Sequence, residues 1–247
     1  MSVWYCIPSK RPPEQVEPVL KAWRERGYKV ALYVDESDKR FGLDAKQGLI
    51  VVAGTYPGYA AAVNRLVLLL LQGDARAEWF VTGGDDTYPD PNHSAEEIAR
   101  ECSEHFNHGH GPDFPMTYEQ MRTWGVMQPT GDDYGDSRGK YVERVASSPW
   151  MGREFCRRIN QGNGPLWPEY FHMGEDEELQ AVATKLGIFW QRPDLKHYHA
   201  HWARPRAMRE DMPEFLVRAN SPEEWKKYKQ IFERRLASGF PGHEPID

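Results

Sequence analysis

Cysteine is scarce in this chain: Cys6, Cys102 and Cys156 stand far apart in 247 residues, odd in number and without a C-x-x-C pair. Neither a disulfide framework nor a zinc ribbon can be built from them, so buried, reduced thiols are expected. Long apolar runs are missing too. The longest, residues 66–71, follows directly on Asn64 and Arg65 and is far short of the roughly 20 residues that cross a bilayer, so no membrane span is predicted. The opening residues, 1–6, lack a basic stretch followed by an apolar core, which makes a cytoplasmic location the expectation. Positive charge is in deficit: the net charge is −6, residues 1–149 carry 16 Lys and Arg against 22 Asp and Glu, and residues 150–247 carry 15 of each. Nucleic-acid binding through overall charge is thereby disfavoured, and only the clusters Arg153, Arg157, Arg158 and Arg204, Arg206, Arg209 offer a local basic patch. Neither G-x-G-x-x-G after the first predicted strand nor a GxxxxGK[ST] loop is present, which removes the basis for a dinucleotide oxidoreductase or a P-loop ATPase.

What the chain does have is apolar and aromatic material. Forty per cent of residues are hydrophobic and 13% aromatic, with nine Trp, twelve Tyr and ten Phe, so a sizeable core is expected despite a mean hydropathy of −0.74. Apolar runs and helical patterns alternate over the first ninety residues, the arrangement of an α/β domain with a mainly parallel sheet. Strands are predicted at 3–7, 30–34, 49–52 and 79–82, with helices at 14–26 and 59–71 between them. Further on, the spacing predicts helices at 95–106 and 151–160, a short strand at 126–128, a helix from the acidic run 175–178 to Gly187, and a strand at 188–190. A charged helix at 222–236 has Ser221 as N-cap and Glu224 three residues on. The domain reading is 1–205 for the α/β unit, with 1–90 and 91–205 as its two halves, and 206–247 for a helical extension.

In open α/β sheets ligands sit beyond the carboxyl ends of the strands. Those ends carry Pro8-Ser9-Lys10-Arg11, Asp35, the 54–58 turn and Asp85-Asp86. Two adjacent carboxylates on a turn can hold a hard divalent cation completed by substrate phosphates, although Asp also favours turns for its own hydrogen bonds. Four acids at a helix start, Glu175 to Glu178, complement the helix dipole and can equally supply a proton acceptor. His197, His199 and His201 alternate as the residues of one strand face do, which suits either a share in a metal site or zinc. Trp150, Trp167, Tyr170, Phe171 and Trp202 are aromatics available either for core packing or for stacking on a sugar or base.

The phrase Trp79-Phe80-Val81-Thr82-Gly83-Gly84-Asp85-Asp86-Thr87-Tyr88-Pro89 resembles the strand and DxD motif of GT-A nucleotide-sugar glycosyltransferases, of the family 2-like and fringe-like kind. The resemblance runs over about residues 3–202 as an ordered series of weak motifs. It implies Asp86 as a ligand of Mn²⁺ or Mg²⁺ and Asp85 as a donor contact; Gly84 stands where the family often has the first Asp. Pro8, Ser9, Lys10 and Arg11 resemble the nucleotide-binding loop, Asp35 the base-contacting end of the second strand, and residues 58–65 the G-x-x-x-A-x-N helix, which brings Asn64 and Arg65 to the donor. Residues 171–179 resemble the E-D-x-x-L segment, making Asp176 the base and Glu175 the second choice. His201 or His199 matches a late histidine that completes the metal ligands, and Trp150 and Trp167 are the acceptor-side candidates.

The function implied is transfer of a sugar from a UDP- or GDP-sugar to an acceptor hydroxyl, on a GT-A, Rossmann-like sheet, with inversion favoured. Glycan, small molecule, protein and hydroxylated DNA base all remain acceptors. The rivals are a sugar-1-phosphate nucleotidylyltransferase, whose Gly-rich first loop is absent, and a non-catalytic nucleotide- or carbohydrate-binding module.

Overall fold

The computed structural model describes residues 1–36, 49–107, 116–130, 147–200, 217 and 219–246. In chain order the elements are β1 (Ser2–Pro8), α1 (Pro13–Glu25), β2 (Lys29–Asp35), β3 (Leu49–Gly54), α2 (Tyr59–Gly73), β4 (Ala77–Val81), β5 (Thr87–Tyr88) and α3 (Ala95–Asn107). There follow α4 (Tyr118–Met121), β6 (Val126–Pro129), β7 (Trp150–Gly152), α5 (Arg153–Arg158), a 3₁₀ turn (Ile159–Gly162), α6 (Glu175–Lys185), β8 (Phe189–Arg192), β9 (Tyr198–His199) and α7 (Pro222–Ala237).

The period of two in β1 divides its side chains between two cores. Val3, Tyr5 and Ile7 face one side of the sheet, where Val16, Val19, Leu20 and Trp23 of α1 and Ile98, Ala99 and Cys102 of α3 cover them. Trp4 and Cys6 face the other, under α2, α5 and α6, and Tyr228, Ile231 and Phe232 of α7 pack against that same core. The α1 contacts follow from apolar spacing at i, i+3, i+4 and i+7, and the helix starts at Pro13, where a missing N–H costs nothing.

The sheet order is β3-β2-β1-β4-β7-β6-β8. All pairs are parallel except those made by β7, which runs against both β4 and β6. The molecule is therefore an α/β fold with a seven-stranded, mostly parallel sheet between helices, compatible with a Rossmann-like architecture. The sequence reading missed β7. Residues 151–160 were expected as one helix, but Trp150–Gly152 pairs with β4 and β6 and only then does α5 begin. Three residues carry too little local pattern to outvote a helix, and the strand exists because its neighbours supply its hydrogen bonds. Also unread was the two-stranded ribbon in which Thr87 pairs with His199 and Tyr88 with Tyr198. Among the described residues no helix is long and apolar enough to cross a membrane.

Candidate active site

The carboxyl ends of β1 and β4 meet at one turn. Ser9, whose N–H donates to Tyr33 O at 2.9 Å, donates its hydroxyl to Asp85 Oδ2 at 2.6 Å. Arg11 donates Nε to Asp85 Oδ1 at 2.7 Å and Nη2 to Asp86 Oδ2 at 2.8 Å. His199 Nε2 lies 3.0 Å from Asp86 Oδ1, and Ala200 N donates to Asp86 O at 2.9 Å, so the β5/β9 ribbon presents the histidine. The turn itself is held by main-chain contacts: Tyr5 and Tyr59 hydroxyls donate to the carbonyls of Gly84 and Gly83 at 2.6 and 2.9 Å, and Gly84 N donates to Thr87 Oγ1 at 3.0 Å. A Cβ at Gly84 would collide with Asp86 Oδ1 and come within 3.3 Å of His199 Nε2.

Burial pushes the Asp85 carboxyl up, against the opposing pull of Arg11 and Ser9. Burial likewise opposes the charge on Arg11, yet Asp85 and Asp86 outweigh it and hold the guanidinium pKa above its ordinary value.

The opposite bank is the N-terminus of α6, and its four acids divide. Glu178 is buried, accepting from Arg235 at 2.6–2.8 Å and from the Tyr170 hydroxyl at 2.8 Å. Glu177 accepts from the Tyr228 hydroxyl at 2.7 Å. The helix α7 thus takes two of the acids, and Glu175 and Asp176 are left toward the sheet edge. Burial, and secondarily the Asp176 charge, raises the Glu175 carboxyl, whose Oε2 is buried without a hydrogen-bond partner among the described residues. Burial raises Asp176 to about 6, partly offset by the N–H of Glu177. Tyr59 links the two segments: its hydroxyl donates to Gly83 O at 2.9 Å and its N–H to Phe171 O at 2.6 Å, shortly before α6 begins. Gly58, with φ +99°, lets α2 begin here; a Cβ on it would lie 2.9 Å from both the Phe171 ring and the Phe171 carbonyl oxygen.

Several other expected site residues are employed elsewhere. Asn64 is buried, and both ends of its amide fasten the Leu166 main chain, donating at 2.7 Å and accepting at 3.0 Å. Trp150 is fully buried among Tyr28, Trp79 and His197, which places it in the core. Trp167 is half-buried, with the guanidinium of Arg235, the α7 residue paired with Glu178, 3.4 Å above its ring. Arg65 is exposed and donates to the Tyr33 hydroxyl at 2.9 Å, beside the carboxyl ends of β2 and β3. Asp35 closes β2 opposite Gly54. Lys10 is exposed and Pro8 half-buried on the loop that carries Ser9 and Arg11. His197 does not share a site with His199: it enters the aromatic core, 2.8 Å from Ser148 Oγ, and burial drops its pKa to about 3. His201 lies outside the described residues, as do Trp202, Arg204, Arg206 and Arg209. The other basic cluster is spent internally: Arg153 caps the carbonyls of Leu71, Asp74 and Ala77, while Arg157 and Arg158 pair with Glu154.

Sequence reasoning missed Tyr5, Tyr56, Tyr59 and Arg235. Tyr56 and Tyr59 flank the Gly58 turn at the sheet's functional edge and so had a positional signal; Tyr5 and Arg235 act through contacts 79 and 57 residues away.

Among the described residues no group of three or more His, Cys, Asp and Glu gathers into a metal-holding set. The donors that do meet are the Asp86 carboxylate and the His199 imidazole; the carboxylate oxygen suits Mn²⁺ or Mg²⁺, whereas the imidazole nitrogen suits a softer transition metal better than Mg²⁺. No family model matches the chain, and no curated protein matches it.

Proposed function

We propose that the chain is a metal-assisted glycosyltransferase that moves a sugar from a nucleoside-diphosphate sugar to an acceptor hydroxyl. One observation carries the reading: a cation-paired dicarboxylate turn, Asp85-Asp86, lies at the carboxyl edge of a parallel sheet, and Tyr59 ties the strand end before that turn to the segment leading into a second acidic pair, Glu175-Asp176. The order of motifs along residues 3–202 agrees with it.

Ser9 and Arg11 bind and orient the donor's anionic end, Arg11 through a forked guanidinium that matches phosphate oxygens. Asp86 and His199 would hold the divalent ion, which when bound supplies positive charge for the departing diphosphate. Asp176 accepts the acceptor's proton. With a pKa raised to about 6 it is ionised at neutral pH yet basic enough to work. The acceptor oxygen bonds to the anomeric carbon as the bond from that carbon to the diphosphate oxygen breaks. The electron pair leaves with the diphosphate, the proton goes to Asp176, and a single displacement of this kind inverts the centre.

The test is release of nucleoside diphosphate from a panel of UDP-, GDP- and dTDP-sugars, with Mn²⁺ or with EDTA, in the wild type, Asp86→Ala and Asp176→Ala. One donor is expected to be hydrolysed only with metal, and removing the base lowers turnover by about 10²–10⁴-fold while donor still binds. Failure of every nucleotide sugar to bind or turn over overturns the proposal.

A further inference from the structure

Every carboxylate oxygen of the Asp85-Asp86 turn already has a partner. Asp85 Oδ1 accepts from Arg11 Nε at 2.7 Å and Oδ2 from Ser9 Oγ at 2.6 Å; Asp86 Oδ2 accepts from Arg11 Nη2 at 2.8 Å and Oδ1 faces His199 Nε2 at 3.0 Å. Arg11 alone spans both aspartates, one planar cation against two adjacent anions. Its side chain is 19% exposed and sits on the loop after β1, so it can leave without disturbing a strand. Ser9, by contrast, is anchored through its main chain to Tyr33 and stays.

We infer that Arg11 is an internal counter-ion that competes with the divalent cation for the Asp85-Asp86 pair, and that loading the cation releases its guanidinium to the anionic group of the ligand; this rests on the metal-assisted reading above. A divalent ion held by Asp86 Oδ1 and His199 Nε2 would share its carboxylate with Arg11, whose Nη2 sits on Oδ2 at 2.8 Å, and two cations on one carboxylate repel each other. Once displaced, the guanidinium keeps its charge and its paired donors, and a diphosphate bound to the cation offers oxygens of the matching geometry. Cation and anion therefore bind with positive coupling, and by reciprocity each raises the other's affinity equally. Without the anion, the protein resists the cation.

The experiment measures Mn²⁺ binding to the full chain by the loss of its free paramagnetic resonance signal, without nucleotide and then with a nucleoside diphosphate. Wild type, Arg11→Met, Arg11→Lys and Asp86→Asn are compared. Arg11→Met is expected to bind Mn²⁺ alone at least about tenfold more tightly than wild type, ~1.4 kcal/mol, and to gain less from added diphosphate. Arg11→Lys keeps the charge but cannot span two carboxylates, and falls between; it carries the test should Arg11→Met fail to fold. Asp86→Asn is expected to lose Mn²⁺ binding in either condition. Equal Mn²⁺ affinity in wild type and the Arg11 variants, with binding still lost in Asp86→Asn, overturns the counter-ion role and leaves the metal reading standing. No Mn²⁺ binding by any protein, even with diphosphate, overturns both.

Discussion

Asp176 and Glu175 stand side by side at the start of α6, and burial is what separates them from the exposed acids of ordinary first turns. A carboxyl raised to about 6 binds a proton in the folded state that it gives up at about 3.8 when unfolded. Folding is thus favoured by this group below the unfolded value, and that contribution is lost as pH rises through the folded value. Activity has the opposite slope, because the base works only when ionised. Accordingly kcat/KM is expected to fall tenfold per pH unit below about 6, whereas Asp176→Asn loses activity and, above pH 6, unfolds at a higher temperature than wild type. A pH–rate profile and melting curves at pH 4.5 and 7.5 check both signs; an activity plateau extending to pH 4.5 removes Asp176 from the role of base.

At the scale of elements, α6 is fixed by α7. Arg235 and Glu178 are both 4% exposed and form an ion pair to which the Tyr170 hydroxyl adds a third contact. Removing one partner of such a pair strands a buried charge, so Arg235→Met is expected to cost about 3–5 kcal/mol, while the double variant Arg235→Met, Glu178→Gln recovers a large part of it. A double-mutant cycle by urea unfolding measures the recovery, and additive losses would show that the pair is not coupled. The same contact explains why the acidic run was only half legible. Four consecutive acids announce a helix start near a sheet edge, and that much the sequence carries; which of them turn toward α7 depends on Tyr228 and Arg235, about fifty residues later. The strand β7 escaped notice for a similar reason. Its three residues have no period of their own and owe their conformation to β4 and β6.

At the scale of the whole molecule, the elements from β1 to β4 were legible because each is long enough to show its own period, and because a parallel order fixes which ends gather. The positions of Ser9, Arg11, Asp85 and Asp86 at one edge follow from that order. Asn64 and Trp150 were misplaced because a polar residue on a helix and an aromatic beside a strand read alike whether they face a ligand or the core. The edge joins β1, β4, α2 and the β5/β9 ribbon, elements drawn from positions 5 to 199. A ligand spanning them must add to global stability, not merely order one loop. At a hundred times its dissociation constant a ligand contributes ~2.7 kcal/mol, which for a chain of this size raises Tm by about 5–10 °C. Mn²⁺ with the matching nucleoside diphosphate is expected to give a shift of that size, Mn²⁺ alone little, and Asp86→Asn none with either, in a calorimetric scan. Equal shifts in wild type and Asp86→Asn would mean that the nucleotide binds away from this edge, and the assignment of the carboxyl ends as the donor cleft would fall with it.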